Sequence, residues 1–356
     1  MVRTRTLRIA ESAGQALSPA SHAGILEAAA VLRAGGTVAF PTETVYGLGA
    51  NAMDSQAVEK IFLAKQRPTW DPLIVHIADA GMLARVAASV SARAQRLIDA
   101  FWPGPLTLLL PKTDSIPDRV TAGRPLVGVR MSAHPVAMAL IAAAGVPVAA
   151  PSANRFGHTS PTTAQHVLDD LEGRIDLVLD GGPTVVGVES TVIEVTDASI
   201  ILYRAGGVPA AAIEAVAGPV QSYSPAWRPT VSPEALPSPG VGIRHYAPRA
   251  RLIAVEVEAA MDGWLQALQA VERQVAESSR PGGVLLPSGW PLPRGFSGAQ
   301  YDWGSWRDGR QLAQRLFAGL RALDAQGVAW ILCPLPSPEG LGAAIRDRLI
   351  KAARET

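Results

Sequence analysis

The stretch PLIVHIADAGMLARVAASVSARAQRLIDAFWPGPLTLLL, residues 72–110, changes its periodicity twice. PLIVHI (72–77) is a short apolar run rich in β-branched residues. SARAQRLIDAF (91–101) spaces its apolar side chains at helical intervals, and LTLLL (106–110) returns to a β-rich run. Strand, helix and strand in succession predict an α/β fold. The same alternation extends in both directions. TVAF (37–40), LVGVRM (126–131), VPVAA (146–150), IDLVLD (175–180), STVIEV (190–195) and IILYR (200–204) read as strands, and SQAVEKIFLAK (55–65) and PVAMALIAAAG (135–145) read as helices. Several of these strands follow one another with no room for a crossover helix, which predicts a twisted mixed sheet.

With 356 residues, 48% of them hydrophobic and 18% charged, the chain buries a substantial core. Single cores stop growing at roughly 250–300 residues, so two domains are expected. The boundary lies at 217–248, AGPVQSYSPAWRPTVSPEALPSPGVGIRHYAP, where proline recurs too often for helix or central strand. Of eight tryptophans, only Trp70 and Trp102 precede it. An N-terminal α/β domain (18–216) is therefore followed by a Pro/Gly-rich linker (217–248) and a smaller α/β domain (249–356). There RLIAV, GGVLLP and VAWILC alternate with helical stretches, as in a Rossmann-like fold.

Thirty-two basic and 31 acidic residues leave a net charge of +1, which gives no general footprint for nucleic acid. One cysteine, Cys333, excludes an internal disulfide framework and multi-thiolate zinc sites. The start, MVRTRTLRIA, lacks the apolar core of a signal peptide, and no run is long enough to span a bilayer, so a cytoplasmic protein without membrane contact is expected.

The common phosphate-loop, dinucleotide, nucleophile-elbow and HExxH motifs are all missing. What remains is polar residues at strand ends and in loops. In FPTETVYGLGANA (40–52), two hydroxyls, a carboxylate and a tyrosine follow an apolar run. In AKQRPTWDPLIVHI, Lys65 and Arg67 end a helix stopped by Pro68, and a strand leads to His76; two cations at a helix C-terminus and a core histidine would give the same text. Only four basic residues are lysine against 28 arginines, so a lysine at 65 suggests that a compact ammonium is wanted there. Arg130, inside the apolar run LVGVRM, must meet an anion if it points inward, either a protein carboxylate or a ligand. APSANRFGHTSPTT (150–163) reads as a loop before a helix capped by Ser160 or Thr162, or as a set of phosphate ligands. In GGPTVVGVESTVIEV, glycines allow close backbone approach before Ser190 and Thr191 begin a strand; a plain β-turn would look alike.

Taken in order, PTETVYGLGANA, KxRPxxxPLIVHI, FWPGPLTLLL, GVRM, PSAN…SP and GVESTVIEV…RAGGV resemble the threonylcarbamoyl-AMP synthases, and SPGVGIRHYAP is similar to the segment joining the two domains of their longer members. The resemblance implies a nucleotidyltransferase that converts L-threonine, bicarbonate and ATP to threonylcarbamoyl-AMP and pyrophosphate, for N6-threonylcarbamoyladenosine at position 37 of tRNA. It implies Lys65, Arg67 and Arg130 as catalytic cations, with Thr42, Glu43, Thr44 and Tyr46 at the mouth of the pocket. Thr44, His76, Arg130, Ala150 and Ser190 would hold threonine. Lys65, Arg67, Asp71, Leu126, Ser152, Asn154, Ser160, Thr191 and Arg204 would hold ATP, and His245 and Tyr246 would form a lid. Magnesium is expected with the triphosphate, held mainly by the substrate's own oxygens, and no tightly bound organic cofactor. The threonylcarbamoyl-transferase machinery acting on tRNA is the expected partner.

Two positions depart from the family pattern. Asp71 stands where asparagine is usual, and a carboxylate beside phosphates calls for neutralisation by magnesium, Lys65 or Arg67. Phe156 replaces a common serine, which shifts binding to Ser152 and Ser160. The hydrogenase-maturation carbamoyltransferases contain a similar domain but also cysteine-rich zinc modules, which this chain cannot build. A non-catalytic double-stranded RNA or tRNA binder using Lys60, Lys65 and Arg67 is the alternative reading, disfavoured by the near-zero net charge.

Overall fold

The computed structural model describes residues 2–10, 18–196, 198–223, 236, 238, 245–257, 261–274 and 281–354. It divides into two units: Met1–Phe156 with Ser160–Gly242, and Gly157–Thr159 with Ile243–Thr356. Among the described residues no helix is long and apolar enough to cross a membrane.

The first unit holds strands β1 (Arg5–Arg8), β2 (Val38–Phe40), β3 (Gly47–Asn51), β4 (Ile74–His76), β5 (Leu106–Pro111), β6 (Leu126–Arg130), β7 (Val148–Ala149), β8 (Leu177–Asp180), β9 (Thr191–Val195), β10 (Ile200–Arg204) and β11 (Val220–Ser222). Its helices are α1 (Pro19–Arg33), α2 (Ser55–Lys65), α3 (Ala80–Val86), α4 (Ala92–Phe101), α5 (Asp118–Thr121), α6 (Pro135–Ala144), α7 (Ala164–Leu171) and α8 (Ala210–Ala217). The strands form one sheet in the order β1-β8-β2-β3-β7-β4-β6-β5-β9-β10-β11. Parallel pairs (β4 with β6, β5 with β9) alternate with antiparallel ones (β5 with β6, β9 with β10), so the sheet is mixed, as the sequence predicts. Val75, Leu108 and Val129, on the central strands, are fully buried in the core beneath the helices.

Four strands, β1, β3, β11 and, in the second unit, Ala299–Gly304, lie where no strand is expected from the sequence. β3 pairs antiparallel with β2, so the polar residues 41–46 form the connection of a hairpin rather than a strand's exit. A Cβ at Gly49 would stand 2.7 Å from Phe40 Cε1 and from Val148 Cγ1, so only glycine lets these neighbours close on the strand. β11 lies within the stretch 217–248 read as linker and pairs with β10. Most of that stretch, 224–235, 237 and 239–244, lies outside the described residues.

Local signals place the site-bearing loops. Asp54 caps α2 by accepting from the backbone of Gln56 and Ala57, and Gln66 in the left-handed region (φ 54°) ends the helix at Lys65. α7 is capped by Thr163, whose side chain accepts from His166 N, and not by Ser160 or Thr162. Those two residues stand before the cap, both buried, and Ser160 turns its hydroxyl elsewhere.

The second unit holds four parallel strands, β12 (Arg251–Val255), β13 (Gly282–Pro287), β14 (Ala299–Gly304) and β15 (Trp330–Pro334), ordered β12-β15-β13-β14, with α9 (Met261–Gln274), α10 (Gly309–Ala325) and α11 (Leu341–Ala352). The tryptophans concentrated downstream are its core: Trp264 and Trp303 are fully buried, with indole N–H groups donating to Pro291 O (3.1 Å) and Leu312 O (2.8 Å).

Candidate active site

The sheet's register collects residues far apart in the chain. His76 pairs with Arg130 across β4 and β6. Leu108 pairs with Val129, so Thr107, one residue on, comes opposite Arg130; Thr107 pairs with Val192, and Val192 with Arg204. Residues paired across a ladder share a face. His76, Arg130, Thr107 and Arg204 therefore project from one face of the sheet in one row.

Arg130 is buried and makes three contacts, donating to Gly104 O (3.3 Å) and Thr44 Oγ1 (3.0 Å) and pairing with Glu43 Oε1 (2.7 Å). The anion that the sequence demands is thus a carboxylate of the protein. Ser132 Oγ donates a short hydrogen bond to Glu43 Oε2. Burial opposes the Glu43 charge, but Arg130 and Ser132 outweigh it and hold the carboxyl down at about 2. Thr42 Oγ1 meets Thr44 Oγ1 at 2.8 Å and donates to Val45 O at 2.6 Å, which fixes the hairpin connection that carries Glu43. Tyr46 braces the same turn through a hydrogen bond from its hydroxyl to Gly182 O (2.7 Å). His76 packs edge-on against Phe40 and bonds to the Ala150 backbone. Burial, then Arg130, push it down to about 3, so the ring is neutral at ordinary pH, and its Nδ1 is buried without a hydrogen-bond partner.

A second cluster surrounds the end of α2. Lys65 is 1% exposed, and its Nζ donates to Ser152 O (2.6 Å) and Asn154 O (2.5 Å), while its own carbonyl accepts from Phe156 N (2.8 Å). The lysine therefore holds loop 152–156 and is no helix-terminal counter-charge. Burial and then Arg67 push its ammonium well below the usual lysine range. Arg67 donates to Asp71 O (3.1 Å) and Pro72 O (2.8 Å) and pairs with Asp71 Oδ2 at 2.9 Å. Asp71 is thereby neutralised by Arg67. The Phe156 ring lies 6.0 Å from the Arg67 guanidinium and edge-on to Trp70, so it covers this ion pair instead of supplying a hydroxyl.

A third group lies at β9 and β10. Ser190 Oγ meets Thr107 Oγ1 at 2.8 Å, and Arg204 clamps Ser190 through its carbonyl and hydroxyl, both at 3.1 Å. Thr191 Oγ1 is committed to Val208, donating to O (2.6 Å) and accepting from N (3.0 Å). Ser160 Oγ donates to Glu189 Oε1 at 2.5 Å. A Cβ at Gly206 would stand 2.3 Å from Glu189 O, so the glycine of RAGGV is what allows the backbone of 189–191 to lie against it. Leu126, at the far end of β6 from Arg130, packs in an apolar cluster with Ile74, Leu109, Val192 and Tyr203. Gly128 lies between Leu126 and Arg130 on the same face, and a Cβ there would stand 3.3 Å from Thr107 Cγ2 and 3.4 Å from Ile74 Cγ1, so these neighbours close over it.

His245 and Tyr246 belong to the second unit, where the Tyr246 ring stacks on Phe317 at 5.8 Å and is buried. Four participants escape sequence reasoning as partners: Glu43 for Arg130, Ser132, Thr107 and Glu189. Thr107 and Ser132 look like core and turn residues in the text. Glu189 is signalled only by its place beside Ser190. Among the described residues no three His, Cys, Asp or Glu side chains converge as a metal cage, and Glu43, Asp71 and Glu189 already have protein partners.

These groups have a consequence for acid stability. His76 stays neutral in the fold down to about 3 against 6.5 when free, so the unfolded chain gains a proton that the fold refuses as pH drops through 6.5. Glu43, at about 2 against 4.5, adds a loss that starts only below 4.5. Urea unfolding should show stability falling by roughly 3 kcal/mol between about pH 7.5 and about pH 4.5. His76→Gln should remove most of that slope; an equal slope in the variant would rule out His76 as its source.

Fold and site together define a two-unit α/β protein with buried arginines, Arg130 and Arg204, on one sheet face. The family model described as "Telomere recombination" matches residues 30–206, and the one described as "Threonylcarbamoyl-AMP synthase, C-terminal domain" matches 208–354. Threonylcarbamoyl-AMP synthases of Pyrococcus abyssi and Bacillus subtilis are 41% and 43% identical, each over 92% of this chain and over 93% and 92% of their own lengths. The crystal structure of Pyrococcus abyssi Sua5 complexed with L-threonine superimposes with a TM-score of 0.87 at 38% identity, covering 98% of this chain and 97% of that one. The chain belongs to the two-domain threonylcarbamoyl-AMP synthase family.

Proposed function

We infer that this enzyme condenses L-threonine, bicarbonate or dissolved carbon dioxide, and ATP into threonylcarbamoyl-AMP and pyrophosphate. The product would supply the threonylcarbamoyl group placed on position 37 of tRNA by a separate transferase, in the cytoplasm. The observation that carries this reading is the single sheet face running from the Leu126 cluster to the buried Arg130–Glu43 pair, flanked by the Lys65 loop. A zwitterionic amino acid has the two charges that Arg130 and Glu43 complement, and the unpartnered His76 Nδ1 offers it a further hydrogen bond. ATP would lie along the rest of the face, with its base toward Leu126 and its phosphates toward Lys65, Arg67, Ser152, Asn154, Ser160 and Arg204.

The chemistry needs no protein nucleophile. The threonine ammonium first gives a proton to solvent; the free amine then forms an N–C bond to carbon dioxide and a second proton passes to water, leaving a carbamate, one oxygen of which bonds to the α-phosphorus as the bond to the β-phosphate oxygen breaks and pyrophosphate departs. Glu43 and His76, with pKa values near 2 and 3, are poor proton acceptors, so their part is to orient the amino acid. Positive charge fixed in a poorly solvated site favours the charge that develops on phosphate oxygens. Magnesium would enter as the ATP complex, coordinated by phosphate oxygens.

The test is pyrophosphate release by the purified protein with each substrate omitted in turn. Release should require all three substrates and prefer threonine to serine and valine. Turnover that ignores threonine would overturn the reading.

A further inference from the structure

Thr107 and Ser190 are two buried hydroxyl residues of the first unit, 0% and 1% exposed, whose oxygens lie 2.8 Å apart. Two hydroxyls bring two protons to one hydrogen bond, so the direction of that bond decides what the second proton can do. Ser190 Oγ also accepts from Arg204 Nη2 (3.1 Å), and the Ser190 carbonyl accepts from Arg204 Nε at the same distance. Among the described residues, Ser190 is the one hydrogen-bond partner of Thr107 Oγ1.

Burial decides which oxygen donates. If Ser190 gave its proton to Thr107, the Thr107 proton would be left without an acceptor in a fully buried strand position, which is costly. Thr107 therefore donates to Ser190. That bond and the one from Arg204 fill the two lone pairs of Ser190 Oγ, and the serine's own proton is left to donate elsewhere. The direction is held by shape as well. β5 lies between β6 and β9, and Thr107 turns its methyl toward Gly128 of β6, where a Cβ would stand 3.3 Å from Thr107 Cγ2. Its hydroxyl is thereby set on the β9 side, and a β-branched residue has little freedom to leave that rotamer.

The remaining proton needs an acceptor. Thr107 stands opposite Arg130 across β5 and β6, so Ser190 lies beside the Arg130–Glu43 pair, where the amino acid is read to bind. We propose that Thr107 is a positioning residue for this substrate: by filling one lone pair of Ser190 it fixes the Ser190 hydroxyl as a donor to a carboxylate oxygen of the bound amino acid. This rests on the synthase reading for the identity of the ligand. The effect is selective, because Arg204 keeps its bond to the Ser190 carbonyl when the Thr107 hydroxyl is removed, and the Lys65 loop shares no contact with the pair.

The experiment measures pyrophosphate release by the full-length chain and by Thr107→Val, Thr107→Ser, Ser190→Ala and the double variant Thr107→Val with Ser190→Ala. Valine keeps the branched shape and removes the hydroxyl; serine keeps the hydroxyl. Thr107→Val should lower kcat/KM for threonine about tenfold, with KM for ATP changed less than about twofold, and Thr107→Ser should recover most of the loss. Because Thr107 acts through the Ser190 hydroxyl, adding Thr107→Val to Ser190→Ala should cost less than about a further twofold. Losses that multiply in the double variant, an unchanged kcat/KM for threonine in Thr107→Val, or an equal rise in KM for ATP would overturn the proposal and leave the synthase reading intact. A wild-type enzyme whose release ignores threonine would overturn that reading and the proposal with it.

Discussion

Arg130→Ala should lower kcat/KM for threonine by about 10³-fold and destabilise the N-terminal unit by about 3–5 kcal/mol. The two effects have one origin. Arg130 satisfies Gly104 O, Thr44 Oγ1 and Glu43 at once, and Glu43 is only 6% exposed. Truncation leaves a carboxylate in a poorly solvated site with Ser132 and its own backbone amide as donors, and breaking a buried pair costs far more than replacing the whole pair. A double variant separates structure from function. Arg130→Met combined with Glu43→Gln removes both charges while keeping volume, so urea unfolding should return to within about 1–2 kcal/mol of wild type while pyrophosphate release stays suppressed. Activity that recovers along with stability would mean that Arg130 serves the fold alone. Arg130→Lys tests the fork: one ammonium cannot serve three acceptors set around a planar guanidinium, so activity should remain well below wild type.

That Arg130 must meet an anion is legible in the sequence, because a guanidinium cannot lose its proton and LVGVRM is otherwise apolar. Which anion it meets is not legible. Glu43 lies 87 residues earlier, in a connection that reads as the end of a strand, and its placement depends on β3 folding back along β2. β3 itself, GLGAN, is poor in β-branched residues and has no strand signal of its own. It forms because β2 and β7 flank it and Gly49 leaves room for Phe40 and Val148, a tertiary effect that no local pattern records. The mixed sheet, by contrast, follows from spacing alone, since STVIEV and IILYR stand too close for a crossover. Thr107 shows the opposite failure. In LTLLL it reads as a strand residue facing the core, and only the register of β5 with β9 sets its hydroxyl 2.8 Å from Ser190. The lysine at 65 is a different case: its ammonium gathers the carbonyls of Ser152 and Asn154, contacts that the text of the sequence does not record.

Lys65→Met should lower kcat/KM for ATP by about 10²–10³-fold while threonine-dependent thermal stabilisation persists. Methionine fills the space of the lysine stem, so the loss falls on the ammonium and on the two carbonyls it holds. The ammonium also carries a pH signature. Burial, then Arg67, lower its pKa well below the usual lysine range, with Asp71 and Asp170 opposing them. A triphosphate bound beside it adds negative charge and favours the protonated form, so ATP binding raises that pKa. By linkage the wild-type enzyme takes up protons as it binds ATP, and its ATP affinity weakens as pH rises through the lowered pKa. Titration calorimetry in two buffers of different ionisation enthalpy, repeated over a series of pH values, measures the uptake directly. Lys65→Met should abolish the uptake and flatten the pH dependence of affinity. Equal uptake in both proteins would assign the proton to another group and leave Lys65 a support for the loop, whereas a difference would identify its ammonium as the charge that meets the triphosphate.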